Sequence, residues 1–552
     1  LSNPVTDSPR AYAAENRITF DGLIEDASRA IEKSRFRSAA VSLQSAARFA
    51  WYNHPGMFRS VKLEALAAQL GEHLPPSHGM GVELKGHVVH VLSQAYSAGG
   101  HTRLVWRWIE NDTTRINSVV LTGQQGIPVP HQLADAVAAS GGHIVSLGET
   151  SSSLLIRAAE LRRISETGAD TIVLHVHPYD IVPSIGLVNV SARIVFLNHA
   201  DHVFWIGGSI ADMVADIRPA GQKLSIAERN LPGALSAILP IPLTTPPHAD
   251  KRVARDLLGI AQDAVVIISI ASGYKYGASL GHHFIDIHRE FVLAHPEVVL
   301  RVIGPASDGR WQAISDETGG RLRAVGMVQG LESYYAAADI YVDSIPFASL
   351  TSLLDAAVRG VPVLALSETG ADSVLTSNDL SLMGKNVHYS DRKAYIRALE
   401  ALTTGPDERR RQGEATRKSV VEDHLSPGWN RHLRRIFESP ATSSDSAAEA
   451  LARNSMPTYG FSELEEALVD FQYASGLAEP LWASRLRDAP YMLVWDRARL
   501  LMSVPSGHRL GALKFMIPDA WRSKMKMRLA RLTSLAHRGG RRLNRGTTGR
   551  SR

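Results

Sequence analysis

Two segments hold residues whose types and spacing suit the handling of an anion. In residues 343–363 an apolar strand ends near Asp343, a loop carries Ser349, and Thr351 and Ser352 open a helix. Hydroxyls and unpaired backbone N–H groups at a helix start attract a phosphate. Asp355 falls one turn further along the same face, where its carboxylate can accept from the two hydroxyls of a ribose. Phosphate first and ribose one turn later is the order in which a nucleoside diphosphate presents its groups. The plain alternative is that residues 349–352 cap a helix and Asp355 favours its positive end. Upstream, residues 268–276 read as a strand running into a small-residue loop that presents Lys275. An ammonium there can neutralise a developing leaving-group charge; the alternative is an exposed loop lysine.

A further set of loops is polar where it leaves an apolar strand. Gly99 and Gly100 join a strand to a helix, and paired glycines allow close backbone approach to a phosphate or sugar. A tight turn explains them equally. His177 follows one strand, and His199 and Asp201 follow another. His177 suits orientation of a substrate, His199 suits a general base toward a hydroxyl, and Asp201 is a rival base. Against each stands the alternative of a strand-end histidine satisfied by carbonyls. No Cys is present and no zincin helix occurs, so thiolate zinc sites, disulfides and cysteine nucleophiles are excluded. A Gly-x-Gly-x-x-Gly is also missing, which removes support for a dinucleotide-dependent dehydrogenase.

The elements needed to position these loops are legible in the apolar pattern. Residues 1–80 read as a helical cap, with helical spacing over 20–31, 39–49 and 61–70. Residues 85–238 then alternate short apolar runs with helices, as do residues 239–438 after a linker at 240–242. Continuous apolar strands alternating with helices predict parallel sheets covered on both faces. The expected fold is therefore α/β: two facing Rossmann-like domains, with a helical cap before them and a helical, basic extension over 439–552. Two such lobes place a cleft at their strand carboxyl ends. The stretch 210–216 reads as a cleft-side helix.

On residues 265–375 the sequence resembles the donor lobe of GT-B glycosyltransferases, especially the O-GlcNAc transferase and its relatives in family 41; residues 86–235 match in outline. Thr351, Ser352, Asp355, Gly360 and Pro362 match the family pattern, and Leu350 stands where the family has a histidine. Family 4 has two glutamates eight positions apart in this segment; here those places hold Phe347 and Asp355. The resemblance implies that Lys275 meets the leaving phosphate, that Met327 and Val328 touch the nucleotide base through their backbone, and that Thr369 contacts donor phosphates. It further implies uridine as the base; the stereochemical course stays open. The implied activity is that of a glycosyltransferase of the hexosyltransferase class, moving a sugar from a nucleoside diphosphate sugar to an unidentified acceptor on a glycan, lipid or protein. No cofactor or metal is required for it. Two other classes remain: a nucleotide-sugar epimerase of the same fold, and a non-catalytic partner subunit of a glycosyltransferase.

The net charge of +5 over 552 residues conceals an asymmetry. Residues 514–552 hold twelve Lys or Arg against Asp519 alone, so this segment is +11 and the rest of the chain is −6. Such a tail reads first as disordered with weak adhesion, second as a membrane-surface anchor, and last as a specific nucleic-acid binder. No run approaches the ~20 apolar residues of a membrane span. The expected location is cytoplasmic, with peripheral contact at the inner face of a membrane.

Overall fold

The structure is a computed structural model that describes residues 8–75, 86–97, 99–124, 126–148, 153–277, 284–328, 330–367, 375–439, 463–474 and 476–516. Three helices come first, Pro9–Glu32, Phe36–Tyr52 and Val61–Glu72. The first is opened by the Ser8 side chain and the third by Ser60, each accepting from an N–H of the first turn. Their apolar faces pack on the first lobe.

That lobe is one sheet of β1 (His87–Leu92), β2 (Ile116–Leu121), β3 (Ile144–Ser146), β4 (Thr171–His175), β5 (Arg193–Asn198), β6 (Met213–Asp216) and β7 (Ser236–Ile238). The strands run parallel in the order β3-β2-β1-β4-β5-β6-β7. The second lobe is a parallel sheet in the order β10-β9-β8-β11-β12-β13, built from β8 (Val265–Ile270), β9 (Val298–Ile303), β10 (Leu322–Ala324), β11 (Ile340–Val342), β12 (Val363–Leu366) and β13 (His388–Tyr389). Every residue of β1, β4, β8, β11 and β12 is buried, which is why these strands are legible as unbroken apolar runs. Strand order reverses between β1 and β4 and again between β8 and β11. Loops leaving those four strands diverge and open a crevice at the sheet edge.

One expectation is corrected. Residues 213–216 form β6, paired to β5 and β7, where a helix was expected over 210–216. Four buried residues are too few for periodicity to separate a strand from a helix turn. The segment at 240–242 does cross between lobes, but as a buried strap. Trp429 Nε1 donates to the Pro240 carbonyl at 2.7 Å, and the Leu243 N–H donates to the His424 carbonyl at 2.9 Å. Trp429 lies on the helix Gly428–Glu438, which returns to the first lobe. There Arg193 donates to the Ile436 carbonyl at 3.0 Å, and Trp108 meets Trp429 edge-on at 5.6 Å.

The helical extension packs on the N-terminal helices, so the two ends of the chain build one body. Asp488, fully buried, accepts from Gln44, Ser45 and Arg48. Tyr473 of the helix Glu463–Ala474 stacks on Tyr12 at 4.1 Å. Among the described residues no helix is long and apolar enough to cross a membrane.

Candidate functional site

A cavity of about 390 Å³ lies between the lobes at the carboxyl ends of their strands. Gly99, Gly100, His199 and Asp201 reach it from the first lobe, and Lys275, Met327, Val328, Thr351 and Ser352 from the second. Nine residues singled out from sequence therefore share one crevice. Asp355 and His177 are not on its lining, and Thr369 lies outside the described residues.

The loop after β1 needs glycine at Gly99, where φ is +107°. At Gly100 a Cβ would stand 3.0 Å from Thr351 Oγ1, so the first lobe's backbone closes directly on the second lobe's helix start. The crevice floor has the same requirement at Gly304, whose Cβ would fall 1.8 Å from the Ala271 carbonyl oxygen.

Lys275 sits in the single-turn helix Gly273–Tyr276 that follows β8. Its ammonium donates to the Ala348 carbonyl at 2.7 Å and lies 4.8 Å from the centre of the Phe347 ring. Burial lowers its pKa to about 8, against an opposing pull from Asp343. No carboxylate forms an ion pair with it among the described residues. The loop it touches is organised by Asp343, which the sequence alone did not single out. One Asp343 oxygen accepts from the N–H groups of Ser344 and Ser349, each at 2.9 Å, and the other from the Ser377 hydroxyl at 2.9 Å. The helix Thr351–Ala357 then starts after Leu350, held at φ +50°, a left-handed conformation that a leucine adopts only at a cost.

Asp355 points elsewhere. Both its oxygens are taken by the first lobe's helix Gly100–Asn111: Arg103 and Arg107 each donate to it at 3.0 Å. The carboxylate expected to receive ribose hydroxyls is spent on joining the lobes. Asp201 is also committed, since Arg218 donates to both of its oxygens at 2.7 and 2.9 Å and holds its pKa well below the usual range despite burial. Sequence reasoning missed Arg103 and Arg107 because a helical i, i+4 pair is ordinary surface chemistry until its partner, 252 and 248 residues away, is brought against it.

The histidines form a group around β1, β4 and β5. His101 lies tilted against His199, ring centres 4.3 Å apart, and bonds the His175 carbonyl at 2.6 Å. His90 bonds His175 at 2.9 Å behind them. Burial pushes His101 down to about 4 and His177 to about 3, and drives His175 and His199 well below the usual imidazole value. All are neutral at pH 7. His199 Nδ1 faces the Leu197 carbonyl at 3.3 Å, which places the ring proton there and leaves the Nε2 lone pair unprotonated.

No family model and no curated protein matches the sequence. Solved structures do. Anabaena HepE in complex with UDP-glucose is 13% identical and superposes over 64% of this chain and 100% of its own, with a TM-score of 0.50. A mutant O-GlcNAc transferase of Thermobaculum terrenum is 15% identical over 80% of this chain and 85% of its own, at 0.47. WaaG, a glycosyltransferase involved in lipopolysaccharide biosynthesis, is 14% identical over 64% and 100%, at 0.42. The chain has the two-lobed GT-B fold, as HepE does.

Proposed function

We infer that the chain is a glycosyltransferase that moves a hexose from a nucleoside diphosphate sugar, with uridine as the base, to an acceptor hydroxyl held by the first lobe. The observation that carries this is Lys275, a cation without an ion-pair partner among the described residues, on the lining of the same two-lobed crevice as Thr351 and Ser352. A half-buried ammonium without a counter-charge is costly, and a diphosphate supplies that charge. In this reading Thr351 and Ser352 bind phosphate oxygens, and the backbone at Met327 and Val328 flanks the base. The acceptor oxygen, near Gly99 and Gly100, attacks the anomeric carbon as its proton passes to His199 Nε2. The bond from sugar to phosphate breaks, and Lys275 meets the charge left on the diphosphate. Asp201 positions Arg218 in this scheme, and no metal is invoked.

The test is incubation of the full chain with UDP-hexoses and no acceptor. Slow release of UDP and free hexose, lost in Lys275→Ala, supports transfer. An epimerised nucleotide sugar would instead identify an epimerase. If no nucleotide sugar raises the melting temperature, the chain is a non-catalytic subunit.

Contact with an anionic membrane surface belongs to the same reading. The basic segment 517–552 lies outside the described residues, but the helices before it expose Trp495 (81%), Leu510 (86%) and Met502 (67%) while burying Leu500, Val504 and Ala512 against the N-terminal body. Helices apolar on both faces call for a second partner, and a neighbouring +10 segment suits acidic lipid headgroups.

A further inference from the structure

Beside the crevice the first lobe carries a second cavity, of about 420 Å³. Its floor is the carboxyl ends of the strands, at Ser93, Thr122 and His177. Its walls come from outside the lobe: Trp51 and Tyr52 from the helix Phe36–Tyr52, and Arg487 and Tyr491 from the C-terminal extension. The buried Asp488–Arg48 ion pair, 2.9 Å long, holds the extension in place and sets Arg48 over the Tyr179 ring at 3.9 Å. Both chain ends are thus needed to enclose this space.

Two features indicate what it takes. The first is its chemistry of aromatic faces interleaved with amide and guanidinium donors, Trp51 and Tyr179 lying 5.1 Å apart and Gln44 and Gln94 among the lining. Flat rings accept the C–H faces of a sugar while such donors and acceptors meet its hydroxyls. The second is Arg157, only 3% exposed. It donates to the Thr122 carbonyl at 2.7 Å and lies over the Tyr491 ring at 5.3 Å, yet its buried Nε has no hydrogen-bond partner and no carboxylate pairs with it among the described residues. The nearby Asp180 is already occupied by the hydroxyls of Ser93 and Thr122 and the N–H of Val182. A buried guanidinium left in this condition calls for an oxyanion.

The cavity adjoins the crevice. Residues 93–101 line the second cavity at Ser93, Gln94 and Tyr96, and the crevice at Gly99, Gly100 and His101. The His101 and His177 rings, 6.4 Å apart, stand at the divide.

We propose that this cavity is the acceptor subsite, and that it takes a sugar bearing an oxyanion, a uronate or a sugar phosphate, with Arg157 as the charge contact and Trp51 as a stacking face. The inference rests on the glycosyl-transfer reading above. The experiment is saturation-transfer NMR on the full chain with saturating UDP, using glucuronic acid, glucose 6-phosphate and neutral methyl glucoside as probes. At least one acidic sugar is expected to bind at least tenfold more tightly than methyl glucoside. Arg157→Gln is expected to abolish that preference, and Trp51→Ala to weaken all probes, while both variants bind UDP as the wild type does, which reports that they are folded. The two acidic probes separate a carboxylate site from a phosphate site. Absence of acidic-sugar binding, displacement of the acidic sugar by UDP, or an unchanged preference in Arg157→Gln overturns the proposal. UDP-hexose hydrolysis is followed on the same samples. If hydrolysis persists without acidic-sugar binding, only this inference falls; if neither UDP binding nor hydrolysis is found, the transferase reading falls and takes the acceptor assignment with it.

Discussion

The ammonium of Lys275 donates to the carbonyl oxygen of Ala348 at 2.7 Å, so the lysine that follows β8 stands against the loop that leads from β11 into Thr351. Two segments more than seventy residues apart meet at one edge of the sheet because β8 and β11 are neighbours on either side of its order reversal. The same contact fixes what a substitution of this lysine does.

Lys275→Ala is expected to lower kcat about a hundredfold with a smaller effect on donor affinity, the size seen when one preorganised charge-stabilising donor is removed. Because burial places the lysine at about 8, kcat/KM of the wild type should decline as pH rises through 8, where the free enzyme loses its ammonium. Stability should move the other way. The unfolded chain holds the proton up to the ordinary lysine value, so between pH 8 and about 10.4 this group makes folding more favourable as pH rises. A kcat/KM profile flat across that window would remove the role.

Asp355→Ala leaves Arg103 and Arg107 without their shared carboxylate, and the Arg107 side chain is only 10% exposed. A loss of about 3 kcal/mol is expected. Arg107→Ala should cost less, and the double variant little more than Asp355→Ala alone, as for partners in one network. Urea titrations measure it. Strictly additive losses would show that the interlobe pairs do not hold the lobes together.

The histidine group should make the fold acid-sensitive. His90, His101 and His177 are depressed to about 4, 4 and 3, with His175 and His199 also low. The unfolded chain takes up protons from about 6.5 downward while these folded imidazoles stay neutral. Stability is therefore fully present above pH 6.5 and falls as pH drops toward 4, by about 1–2 kcal/mol per histidine at pH 5. His101→Gln should flatten the dependence between pH 7.5 and 5, as read from urea midpoints.

The full chain should co-sediment with vesicles containing phosphatidylglycerol and stay in solution with pure phosphatidylcholine, and 0.5 M salt should release it. Trp495→Asp combined with Leu510→Asp should lower binding about tenfold if the exposed apolar face enters the interface. Binding unchanged in that variant would assign the contact to the basic segment alone.

Much of the architecture was written in local pattern. Runs such as Thr171–His175 and Ile340–Val342 are strands over those same residues, because a strand buried on both faces leaves no polar alternation to misread. That nine residues named from sequence line one crevice has a related reason: seven stand in polar or glycine-bearing loops that follow buried strands and so lie at the carboxyl edge, while Met327 and Val328 were named from the family resemblance. The sequence alone could not say which charges are already neutralised. Asp355 and Asp201 looked as available as Lys275, and only the folded chain shows them bonded to Arg103, Arg107 and Arg218 while the lysine keeps its charge facing the crevice. Ion-pair partners are chosen by distances of a few ångströms across elements remote in sequence, whereas strands and turns are chosen within a few residues. The joining of the chain's two ends around Asp488 is of the first kind, and so is the cavity that this joining encloses.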